Sequence, residues 1–240
     1  MEHQELVLVN GRMSNRGFFE SYARSGCVGL VGGTTWIDKA IVGAQRGLDE
    51  RRRLSRWSHA FLITERRLDG HWWTLESDLE IHRKHIRLGA QENRLAKYWD
   101  PELHSTLAIL DFHLPPDRVR EIVAGGLDLV AGHAKYSLRE ILGTLIALRH
   151  PSLRGRENLM ARDRSFYCSA FVQHLFRKAG VDLAPGIPDK QTTPEDLSRT
   201  PVPHTLYLLE REAARSRVAD VARRLKARVR LRLRSRREKT

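Results

Sequence analysis

RSFYCSAFVQHLFRKAG, residues 164–180, is the stretch on which the reading of this chain turns. Cys168, Phe171, Val172, Leu175 and Ala179 recur at the 3–4 residue spacing of one helix face, and Gly180 is a natural stop. The spacing predicts an amphipathic helix whose first turn carries Cys168. A helix N-terminus holds roughly +0.5 of an elementary charge, which favours thiolate over thiol. A buried packing role fits the same window, because free cysteine is among the most buried residue types. The decision between the two lies upstream.

The chain has 240 residues and two cysteines, Cys27 and Cys168. Two cysteines do not form a disulfide framework, which points to a reducing, cytoplasmic setting. No run of 18 apolar residues suits a membrane span, and the opening MEHQELVLVNGRMS lacks the pattern of a secretory signal. The net charge is +13, but residues 211–240 hold thirteen Lys/Arg against three Asp/Glu. The preceding 210 residues therefore carry only +3. The basicity belongs to a tail, so the body gives no electrostatic case for nucleic acid.

Two units follow, a domain over 1–210 and a tail over 211–240. In the domain, ELVLV (5–9) reads as a strand or a lead-in, and CVGLVGG (27–33) as a buried strand. Thr35 and Asp38 then form a capping-box pattern, and Ile37, Ile41, Ala44 and Leu48 give a helix one apolar face. Arg51, Arg52 and Arg53 suit a solvated helix end. WSHAFLITE (57–65) and HWWTLES (71–77) read as a hairpin about RRLDG. Residues 81–100 read as irregular or weakly helical. TLAILDF (106–112) is a strand, Pro115–Pro116–Asp117 opens a helix, and Gly125–Gly126 within it weaken it or admit a close neighbour. A further helix is expected over 137–148, a short one at TPEDL (193–197), and a last strand at HTLYLLE (204–210).

A cysteine nucleophile needs a base in hydrogen-bond reach and a group to orient that base. Eleven histidines make the mere presence of one uninformative. His59 differs because a strand would fix its direction. Alternation puts His59, Phe61 and Ile63 on one face, and Trp72, Thr74 and Glu76 on one face of the next strand. Pairing about a loop centre between Arg67 and Leu68 sets His59 opposite Glu76, with Cβ atoms ~5 Å apart. A two-residue slip keeps them on one face at a diagonal, whereas a one-residue slip separates them. Taken alone, the hairpin favours an ordinary cross-strand polar pair on an exposed face.

GCVGLVGG, WSHAFLI, TLES, YCSAFVQHLF and TPEDL, in that order over roughly residues 25–200, resemble the circularly permuted NlpC-type papain-like hydrolases, the YiiX-like amidase group. In that group the histidine strand precedes the cysteine helix, as here. The resemblance implies an α+β papain-like fold, with a small antiparallel sheet packed against helices that include the cysteine helix. It implies Cys168 as nucleophile, His59 as base, Glu76 as the orienting residue and Tyr167 lining the substrate site. The implied chemistry is cleavage of an amide bond in a peptide or amino-acid-linked substrate, through an acyl-thioester and without a cofactor. Related permuted proteins act on lipid acyl groups, so a lipid acyl hydrolase or acyltransferase is the alternative within enzymes. A non-catalytic binding module on the same fold is the alternative outside them.

No metal is expected: His82 and His85 could share a helix face, but no further ligand spacing accompanies them. Cys27, in an apolar strand, reads as core. In the tail, Val218, Ala222, Leu225, Val229 and Leu233 can form a narrow apolar stripe on an arginine-rich helix. That stripe suits an anionic membrane surface, which would make the protein peripheral to a membrane. A solvated tail and an acidic partner stay open as readings, while the absence of aromatics for base stacking argues against nucleic acid.

Overall fold

The computed structural model describes residues 5–33, 55–82, 85–132 and 168–211. The helices expected over 34–53 and 137–148, Tyr167, and the tail beyond Arg211 lie outside these residues. The described elements are β1 (Glu5–Val9), α1 (Asn15–Tyr22), β2 (Val28–Gly33), β3 (His59–Arg66), β4 (Trp72–His82), β5 (His85–Arg94), a 3-10 turn (Leu95–Tyr98), β6 (His104–Asp111), α2 (Pro116–Ala131), α3 (Cys168–Lys178), α4 (Pro194–Ser198) and β7 (Thr205–Glu210).

The architecture is mixed α+β, as expected, but the sheet is neither small nor wholly antiparallel. Seven strands run in the order β1-β7-β6-β2-β3-β4-β5. β1 lies parallel to β7, and every other pairing is antiparallel. One correction to the sequence reading, and one alternative the sequence left open, account for the size. Residues 85–94 form a strand where irregular or helical structure was expected, and β4 runs on to His82 to meet it. β1 is a true strand, recruited by the C-terminal β7. His82 and His85 are thus register partners of β4 and β5 instead of sharing a helix face.

Period-two alternation sorts the core into two layers. Val28, Leu30, Ala60, Leu62, Leu75, Ala108 and Leu110 pack with Ile122 of α2 and with Phe171, Val172, Leu175 and Phe176 of α3. Val31, Phe61, Ile63, Leu107 and Ile109 pack on the other side with Phe18 and Phe19 of α1 and with Leu95 and Tyr98 of the 3-10 turn. Each large side chain removed from water this way contributes ~1.5–3 kcal/mol. α1 has no counterpart among the sequence expectations. Ser14 caps it by accepting from the Gly17 N–H, and Phe18 and Phe19 supply its buried face.

The cysteine helix forms as its pattern predicts. Cys168, Phe171, Val172, Leu175 and Phe176 are all buried. Gly180, at φ 79°, ends it and lets the Val181 N–H reach the Phe176 carbonyl at 2.9 Å. Gly126 serves close approach: a Cβ there would lie 2.8 Å from Leu75 Cδ1, so the glycine lets α2 settle onto β4. Thr193 and Asp196 close a capping box on α4, and the Ser169 hydroxyl donates to the Thr192 carbonyl at 2.7 Å, tying that loop to α3.

Gly29 bears on the site directly. A Cβ on it would fall 2.2 Å from the Phe61 ring, which lies over β2 and stacks on Tyr98 at 4.4 Å and 6°. Gly29→Ala must therefore push Phe61 toward Tyr98. Overpacking of this kind costs about 1–3 kcal/mol. A lowered urea midpoint is the expected result, and an unchanged midpoint would show that the ring yields freely.

Candidate active site

His59 is the first residue of β3, Glu76 lies in the middle of β4, and Cys168 is the first residue of α3. The His59 Nε2 sits 2.6 Å from Glu76 Oε2, and the Cys168 thiol is hydrogen-bonded to the same imidazole. With Nε2 committed to the carboxylate, Nδ1 is the nitrogen left for sulfur. Three residues far apart in sequence therefore stand in series. Tyr167, the fourth residue singled out from the sequence, is outside the described residues.

The hairpin register differs from the expected one by two residues. Leu62 pairs with Leu75 and Ile63 with Thr74, and the ladder shifts between Ile63 and Arg66. Continued, this register sets residue 78 opposite 59 and leaves Glu76 on the diagonal. Parity is preserved, so Glu76 stays on the His59 face and its longer side chain closes the distance. The irregularity near the turn is the physical cause, because it adds residues that a symmetric loop count omits.

Glu76 is fully buried and accepts from four donors. Besides His59, these are the Asn93 amide at 2.7 Å, the Lys97 ammonium at 3.1 Å and the Tyr98 hydroxyl. Lys97 also donates to Asp78 Oδ2 at 2.5 Å. None of Asp78, Asn93, Lys97 or Tyr98 was singled out from the sequence. The available signal was in β5, where Ile86, Leu88 and Ala90 alternate with polar residues and place Asn93 and Gln91 on one face. Glu76 pairs directly with Gln91, which is 3 % exposed.

The turn carrying Lys97 and Tyr98 is held by α1, which packs on the same side of the sheet. The Asn15 amide, buried at the start of α1, donates to the Tyr98 carbonyl at 2.8 Å and to the His104 carbonyl at 3.0 Å. Arg211 donates in turn to Asn15 Oδ1 at 2.6 Å.

The electrostatics follow from these contacts. Burial would drive the Glu76 carboxyl up, but the bond from His59, the charges of Lys97 and His59 and the Tyr98 hydroxyl hold it well below the usual carboxylate range. Burial would lower His59, but Cys168, Asp78 and the bonds to Cys168 and Glu76 hold it well above its ordinary value. Cys27 offers a contrast. Burial, with Asp111 nearby, pushes its thiol up to about 12, as suits an unreactive core residue.

His59, Glu76 and Asp78 each offer a ligand atom within 4.8 Å of the others, a spacing that could serve a metal ion. The residues present do not fit one. The Lys97 ammonium already lies against both carboxylates, and a divalent cation there would face a like charge in a partly buried site.

No protein-family model matches the chain, and none of the curated proteins matches it. Among solved structures it is similar to the metalloprotein YiiX of Escherichia coli O157:H7, at 12 % identity and a TM-score of 0.49, over 79 % of this chain and 97 % of that one. Among the described residues, no helix is long and apolar enough to cross a membrane.

Proposed function

We propose that the chain is a cysteine hydrolase that cleaves an amide bond in a peptide or amino-acid-linked substrate. The observation that carries this reading is the series Cys168–His59–Glu76, with the carboxylate fully buried and committed to the imidazole. Sγ of Cys168 attacks the carbonyl carbon as its proton passes to His59 Nδ1. The oxyanion is stabilised by the Cys168 backbone N–H at the start of α3. Collapse breaks the C–N bond, and His59 returns the proton to the departing amine. Water, deprotonated by His59, then hydrolyses the thioester and regenerates the thiol.

Glu76 accepts from Nε2–H, which keeps Nδ1 toward the sulfur and supports the imidazolium as it forms. No step runs through a metal. YiiX is described as a metalloprotein, but in this chain Lys97 stands against the carboxylates that would ligate one. An activated ester such as p-nitrophenyl acetate tests the proposal, since its acyl group is expected on Cys168.

A further inference from the structure

Glu76 Oε1 and Asp78 Oδ2 share the Lys97 ammonium, with Nζ at 3.1 and 2.5 Å. Two carboxylates this close do not both stay ionised without a counter-charge; one takes up a proton. A proton on Glu76 would matter more than its charge alone suggests. A protonated Glu76 donates to Nε2 instead of accepting from it. The ring then carries its proton on Nδ1, where it cannot receive one from Cys168. The protonation of Glu76 therefore sets the tautomer of His59.

We propose that Lys97 is the positioning residue of this site: its ammonium keeps both carboxylates ionised, so that Glu76 remains an acceptor and His59 remains available to Cys168. This rests on the cysteine-hydrolase reading of the same three residues. The groups facing Glu76 are few. β3 contributes His59, and β4 contributes Asp78. The 3-10 turn contributes Lys97 and Tyr98, and β5 contributes the neutral Asn93 and Gln91. α3 brings Cys168 against His59. Beyond Tyr98 lies the His104 ring, edge-on at 5.1 Å. Among these described residues Lys97 is the single side chain with a permanent positive charge. Its Nζ lies over the Tyr98 ring, 5.6 Å from the ring centre, so the turn that presents the phenol also presents the ammonium.

The test follows the rate of iodoacetamide alkylation at Cys168 between pH 4 and 8 in the full chain. Lys97→Met is expected to move the acid limb of that profile up by at least about one pH unit, a roughly tenfold loss of rate below the limb. The double variant Lys97→Met/Asp78→Asn removes the repelling carboxylate along with the cation. It is expected to bring the limb back toward that of the wild type, and it supplies a folded comparison should the single variant fail to fold. A limb unmoved in Lys97→Met, or one still displaced in the double variant, overturns the proposal. A wild-type chain whose Cys168 alkylates no faster than it does in His59→Ala overturns the hydrolase reading instead.

Discussion

His59→Ala is expected to slow alkylation of Cys168 by about a hundredfold near pH 6.5, within the range that a positioned base supplies. The effect isolates the base because the rest of the site retains its partners. Glu76 keeps Asn93, Lys97 and Tyr98 as donors, so its buried carboxylate is not stranded. The fold is therefore expected to survive, and added imidazole should restore part of the rate by occupying the vacated space. Cys27 is an internal control: it is 1 % exposed, against 6 % for Cys168, and its thiol is pushed up. A rate within about threefold of wild type would remove His59 as the base.

Glu76→Gln is the second large effect, and it acts on both chemistry and stability. The amide offers one oxygen and one NH2 group to four donors, so at least one donor meets another donor. Each buried group left unsatisfied costs about 1–3 kcal/mol, more where it is charged, as Lys97 is. The chemistry suffers because the amide can also donate to Nε2 and hold the wrong tautomer. A loss of about 10²–10⁴ in acylation rate is expected, by the logic of the orienting residue in catalytic triads.

The stability loss depends on pH with a sign set by two groups. Glu76 is held below its ordinary value of 4.5, so its contribution is present above that pH and fades as pH falls. His59 is held above 6.5, so its contribution is complete below that pH and fades as pH rises through the folded value. The stability gap between wild type and Glu76→Gln is therefore expected to be widest between about pH 4.5 and 6.5, and to narrow on the acid side. A urea midpoint difference that stays constant from pH 3 to 7 would show that Glu76 makes no ionic contribution.

Much of this site is legible in the sequence because strands alternate. His59 and Glu76 had to share a face in any register of even offset, and they do so in one shifted by two residues. The cysteine helix was equally legible, since Phe171, Val172 and Leu175 define its face before any tertiary contact does. The shift itself was not legible, because the ladder irregularity between Ile63 and Arg66 depends on how the turn packs. Lys97 and Tyr98 were hidden for a different reason. They follow β5, whose apolar series Ile86, Leu88 and Ala90 holds Gly89 at φ 118° and ends at the charged Glu92. With that strand unrecognised, nothing directs a lysine 21 residues beyond Glu76 back to its carboxylate. Asn15 is further removed still: it holds the Tyr98 carbonyl across 83 positions, a contact set by α1 packing under the sheet.

The central claim is that Cys168 forms a covalent acyl intermediate with help from His59 and Glu76. Its most direct measurement is the pre-steady-state reaction of the full chain with p-nitrophenyl acetate, followed by mass mapping of the quenched protein. The account predicts a burst of about one equivalent of nitrophenol, with the acetyl group on Cys168 and the burst lost in His59→Ala. Linear release with no acetyl on Cys168, or a burst whose acetyl group maps elsewhere, would contradict it.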